Sequence, residues 1–72
     1  MLEWKEVTPE KSIFKKQINV IRKDFGIVIG MLTLDIQDTW VWTLKGIDFN
    51  FLGKITEEEA KKEFQKVIDK YI

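Results

Sequence analysis

The clearest alternation of apolar and polar positions runs from Thr39 to Gly53, Thr-Trp-Val-Trp-Thr-Leu-Lys-Gly-Ile-Asp-Phe-Asn-Phe-Leu-Gly. Successive side chains of a strand point to opposite faces, so Trp40, Trp42 and Leu44 share one face and Thr39, Val41 and Thr43 the other. Beyond Lys45-Gly46 the alternation resumes, with Ile47, Phe49 and Phe51 set against Asp48, Asn50 and Leu52. A two-residue turn at Lys45-Gly46, with Gly46 supplying a positive φ, predicts a hairpin that pairs Leu44 with Ile47, Trp42 with Phe49 and Trp40 with Phe51. That register gathers the large aromatics on one side, where they form the centre of a small core or, alternatively, a ligand platform.

The stretch from Gly26 to Ile36 is the next clear strand. A polar loop at Gln37-Asp38-Thr39 would pair Ile36 with Trp40, Leu34 with Trp42 and Leu32 with Leu44. Gly30 falls on the same apolar face and leaves room for a neighbouring ring. Residues 2–7 alternate and read as a short edge strand. Residues 12–25 carry two patterns. As a helix, Thr8 caps, Pro9 sits at the first helical position, and Phe14, Ile18, Ile21 and Phe25 fall at helical spacing. As a strand, Gln17-Ile18-Asn19-Val20 alternates and Lys23-Asp24-Phe25-Gly26 forms the following turn. Strand is preferred.

The last segment predicts a helix. Thr56 and Glu59 make a capping box, and Glu57, Glu58 and Glu59 oppose the positive end of the helix dipole. Ala60, Phe64, Val67, Ile68 and Tyr71 form one apolar stripe, with Glu57–Lys61 and Glu58–Lys62 as supporting pairs. An isolated helix this short is marginal in water, so its stripe must pack on the sheet. The expected fold is therefore α+β: a single domain over residues 1–72, with an antiparallel three- to four-stranded sheet and a C-terminal helix on one face.

Composition then narrows the chemistry. With 72 residues the chain sits near the lower limit for a self-sufficient core, and it has no cysteine to supply disulfides or thiolate zinc ligands. It has no histidine, and Ser12 is its only serine, which removes the common nucleophile–base arrangements. No phosphate-binding glycine motif occurs. Asp35, Asp38 and Asp48 are the only carboxylates on the expected sheet, and the first two flank a turn, where Asp commonly bonds local backbone. These features predict a protein that is not an enzyme and takes neither cofactor nor metal. No apolar run reaches the length of a membrane span, and Met1 leads into charged residues, so the expectation is a cytoplasmic protein without membrane contact.

Twelve basic and twelve acidic residues give zero formal net charge, whereas nucleic-acid binders usually carry a basic excess. Residues 1–24 hold six basic and four acidic groups, making Lys15, Lys16, Arg22 and Lys23 the candidates for a local nucleic-acid-binding patch. The better candidate surface is the sheet face away from the helix. It is expected to carry Ile29, Met31, Thr33, Val41, Thr43, Asn50 and Leu52, a semi-apolar set with few charges that is either covered by the N-terminal segment or left free to take a protein partner or form a homodimer.

The arrangement of Trp40 and Trp42, then Gly46, Phe49 and Gly53, then Thr56, Glu58, Glu59, Ala60 and Lys61, resembles many small phage and prophage proteins. The resemblance covers about the last half of the chain. It implies an interaction protein of a phage or mobile element, including an inhibitor of a host factor. A sheet backed by one helix is also similar to the sheet-reading DNA-binding domains of phage integrases. Those domains place Arg, Lys and aromatics on the exposed face, where this sequence offers Lys45 beside Asp35 and Asp48.

Overall fold

Five strands follow one another as an antiparallel meander, β1 (Leu2–Val7), β2 (Phe14–Arg22), β3 (Ile27–Asp35), β4 (Trp40–Leu44) and β5 (Asp48–Gly53), and one helix, α1 (Glu57–Tyr71), closes the chain. The structure is a computed structural model and describes residues 1–71. The sheet has five strands where three to four were expected, because residues 2–7 and residues 14–22 both join it. The helical alternative for residues 12–25 is thereby excluded. The β-branched run of β2 pairs on both sides, Val20 with Trp4 and Ile18 with Leu32, and those pairings outweigh the capping signal at Thr8-Pro9.

Turn chemistry fixes the registers. Lys23 to Gly26 forms the β2–β3 turn, with the Gly26 amide donating to the Arg22 carbonyl at 2.8 Å. Between β3 and β4 the Asp35 side chain accepts hydrogen bonds from the Gln37 and Thr39 amides at 2.8 and 3.0 Å. Asp38 takes the left-handed conformation at φ 64°, which completes a three-residue loop of Ile36, Gln37 and Asp38. Leu34 therefore faces Trp40, and Leu32 faces Trp42. This register lies two residues from the expected one, so each side chain keeps its face, while Ile36 is expelled into the turn and exposed.

The β4–β5 hairpin is offset by one residue, and there the faces do change. Leu44 pairs with Asp48, Trp42 with Asn50, Thr43 with Phe49 and Val41 with Phe51. A two-residue primed turn requires a positive φ at its first residue, here Lys45, and Asp38 is the chain's one non-glycine residue in that region among those described. The loop lengthens to Lys45-Gly46-Ile47, with Gly46 at φ 77° and the Ile47 amide bonded to the Leu44 carbonyl. Phe49 and Phe51 consequently leave the tryptophan face.

That face is covered by α1. Ala60, Phe64 and Ile68 are buried against Ile18, Val20, Leu32, Trp40, Trp42 and Leu44. The Phe64 ring stacks on Trp42 at 5.6 Å between centroids and takes Trp4 edge-on at 5.8 Å. Such aromatic pairs contribute about 0.5–1.5 kcal/mol each beyond their area. The room expected at Gly30 is used by this ring, since a Cβ there would lie 2.9 Å from Phe64 and 2.6 Å from the Thr43 carbonyl oxygen. Leu52 and Ile55 complete the layer from the end of β5 and the loop after it. The capping box forms as expected, with the Thr56 amide donating to Glu59 and the Glu59 amide donating to the Thr56 hydroxyl. Glu57 pairs with Lys61 at 3.1 Å, whereas the expected Glu58–Lys62 pair is not formed, and Tyr71 at the helix end is exposed rather than part of the buried stripe.

Candidate interaction surface

The sheet face away from α1 is divided in two by the β1–β2 loop. Gln17 points to this side and is 1% exposed. Its amide oxygen accepts from the Glu10 backbone N–H at 3.0 Å and its nitrogen donates to Asn19 at 3.0 Å, so the loop over residues 8–13 is tied down across β2. Among the described residues no buried side-chain polar atom lacks a partner. The loop thus covers part of the face and leaves the remainder open.

The open part is a cleft of about 370 Å³. Its floor is Met31, Thr33, Val41 and Thr43 from β3 and β4; Ile13 and Phe14 line one side, and Phe49 and Phe51 the other. The Thr33 hydroxyl donates to the Val41 carbonyl at 3.3 Å. Phe49 and Phe51 are 57% and 65% exposed and meet edge-on at 6.0 Å. Among the described residues, Lys11 and Asp35 are the charged ones that line it. Such an arrangement suits apolar contact with a few hydrogen bonds at its margin.

Of the residues expected on this face, Met31, Thr33, Val41 and Thr43 are brought together in the cleft. Three are not. Asn50 lies opposite Trp42 and shares the helix-side face, Leu52 packs against the core, and Ile29 is half-buried against the core beside Leu44 and Ile47. The one-residue offset of β5 accounts for Asn50 and Leu52. The same offset brings in Phe49 and Phe51, expected in the core. The signal that could have found them is Lys45 itself, a poor residue for the positive φ that a two-residue hairpin turn demands.

The basic candidates do not make one patch. Lys15 pairs with Asp38, whose carboxyl is held below its ordinary value by that hydrogen bond and charge. Lys16 lies 2.7 Å from Glu57 and 3.7 Å from Glu6. Arg22 and Lys23 sit at the far end of β2, roughly 20 Å away along the strand, with the Arg22 guanidinium over the Phe25 ring at 5.0 Å. The sheet carboxylates serve turns and ion pairs: Asp35 bonds the loop amides and Asp48 accepts from the Phe49 amide at 2.7 Å. No helix among the described residues is long and apolar enough to cross a membrane. Comparison with known proteins finds no matching family model, no matching curated protein and no matching solved structure.

Proposed function

We propose that this chain is a small non-enzymatic interaction protein that binds a protein partner or a second copy of itself through the open sheet face. The observation that carries this reading is the exposure of Phe49 and Phe51 beside Met31 and Val41, on the part of the sheet face that the β1–β2 loop leaves open among the described residues. Apolar side chains grouped in this way mark contact surfaces more often than isolated exposed ones do. Aromatics are also the residue types that most often anchor protein interfaces. The neutral chain and the pairing of Lys15 and Lys16 with carboxylates favour a protein partner over a phosphate backbone.

The test is affinity capture from lysate of the source cells, with and without nuclease, comparing wild type with the Met31→Asp/Val41→Asp double variant. The expected outcome is a protein recovered by wild type regardless of nuclease and lost by a double variant that still melts cooperatively. Undiminished recovery by the folded double variant overturns the reading.

A further inference from the structure

The geometry points to a second copy of this chain as the occupant of the cleft, with two open faces opposed about a two-fold axis; this rests on the open face being the interaction surface. The cleft joins two strongly exposed rings to a half-buried floor. Phe49 and Phe51 stand up as a wall beside the lower floor of Met31, Val41 and Thr43. A two-fold axis lays each copy's aromatic wall over the other's floor, so one patch supplies both projection and hollow, as an isologous contact requires. Two sheets stacked in this way at about 10 Å form an ordinary sandwich core.

Charge and area agree with this occupant. Lys11 and Asp35 contribute one charge of each sign to the cleft, and the whole chain is neutral, so a copy meets a copy without net repulsion. Phe49 and Phe51 together expose roughly 240 Å² per copy, taking about 200 Å² for a whole ring. Two copies therefore bring nearly half of the roughly 1,000 Å² that a specific interface needs. Ile13 adds to this at 53% exposed, as do the half-buried Met31 and Val41. The other part of this face is already roofed by the chain's own loop over Gln17, which confines the contact to the β3–β4–β5 portion.

Sedimentation equilibrium of the full chain, from low micromolar to millimolar concentration, tests the proposal. The expected mass rises from 8.6 kDa to twice that value as concentration increases. Phe49→Asp and Phe51→Asp should each raise the dissociation constant about 30-fold or more. Ile47→Asp, which places the same charge at an exposed apolar site outside the cleft, should leave it unchanged. Circular dichroism of each variant confirms that it is folded. In a parallel dilution series, amide shifts should move at Val41, Thr43, Phe49 and Phe51 and stay fixed at Lys62 and Lys66. A wild type that remains at 8.6 kDa throughout overturns the second copy as occupant, while loss of capture by the Met31→Asp/Val41→Asp variant would still uphold the open face as a binding surface. A dimer weakened by Ile47→Asp but indifferent to both phenylalanine variants also overturns it.

Discussion

Phe49 lies opposite Thr43 and not opposite Trp42, and this single offset assigns two aromatic rings to solvent instead of to the core. Neighbouring strand positions differ completely in energetic weight as a result. Trp42, stacked on Phe64, is part of the layer that holds the helix to the sheet.

Paired substitutions read that weight directly. Trp42→Ala should cost about 3–5 kcal/mol, a large part of the stability of a domain this size. Phe49→Ser and Phe51→Ser should each cost about 1 kcal/mol or less, from strand preference and the lost ring contact. Urea denaturation at low protein concentration measures all three. Equal losses at Phe49 and Trp42 would contradict the observed register.

Gly30 is a second point of leverage. An alanine Cβ there would meet backbone, the Thr43 carbonyl oxygen at 2.6 Å, as well as the Phe64 ring at 2.9 Å. Backbone cannot swing aside as a flexible side chain can, so the helix and β4 must shift. Gly30→Ala should destabilise by about 1–3 kcal/mol. For a domain of this length that corresponds to a melting temperature lower by about 4–8 °C per kcal/mol. An unchanged melting temperature would mean that Phe64 does not occupy the hollow.

The ion pairs at the helix start predict a pH dependence with a definite sign. The Glu57 carboxyl is held below its ordinary value of 4.5 chiefly by the hydrogen bond from Lys16, against some opposition from burial, with Lys61 assisting. Lys16 is raised above 10.5 chiefly by its hydrogen bond to Glu57 and then by the charge of Glu57, with Glu6 assisting. A lowered acid contributes stability that is present above its unfolded value and lost as pH falls through the folded one. A raised base contributes stability that is present below its unfolded value and lost as pH rises through the folded one. The pair's contribution is therefore flat from about pH 5 to pH 10. In Glu57→Gln it should be missing across that range, and the variant should converge on wild type in acid. The gap should also narrow in high salt, because both groups reach solvent. Denaturation midpoints across pH test this, and a gap that persists in strong acid would sink it.

Gln17 predicts a local effect in place of a global one. Removing its side chain leaves the Glu10 amide without its acceptor and frees the loop over residues 8–13. Gln17→Ala should raise hydrogen exchange at Glu10 while the amides at the centre of β2 keep their protection. Uniform loss of protection would show that the loop and the sheet open together.

The helix was legible in its cap and its buried stripe because those signals are local: Thr56 and Glu59 cap each other across three residues, and Ala60, Phe64 and Ile68 repeat at one period, whereas Tyr71 and the Glu58–Lys62 pair did not follow the pattern. The β3–β4 hairpin was legible in its faces but not in its register. Asp35 and Asp38 carry the turn together, and a two-residue error leaves every face unchanged. The β4–β5 hairpin was misread because the apolar pattern of Ile47, Phe49 and Phe51 fits a two-residue turn equally well. The turn geometry decided against it, at Lys45. The candidate surface was legible only where it depends on β3 and β4, at Met31, Thr33, Val41 and Thr43. Its aromatic wall hung on the β5 register. Lys15 and Lys16 looked like a basic patch because their acidic partners, Asp38, Glu6 and Glu57, come from three different parts of the chain.

The Asp48 carboxylate on the Phe49 amide bears on how far any assembly can grow. A meander leaves two outer strands, β1 and β5, and pairing one to the other from copy to copy would propagate an endless ribbon. With a backbone donor of β5 already taken, and Glu3, Lys5 and Glu6 along β1, that route is obstructed at both ends. A face has no second side to offer once it is covered, because the reverse of the sheet belongs to the helix. In the proposed dimer, growth by the open face would stop at two, because an isologous contact uses the same patch on both copies.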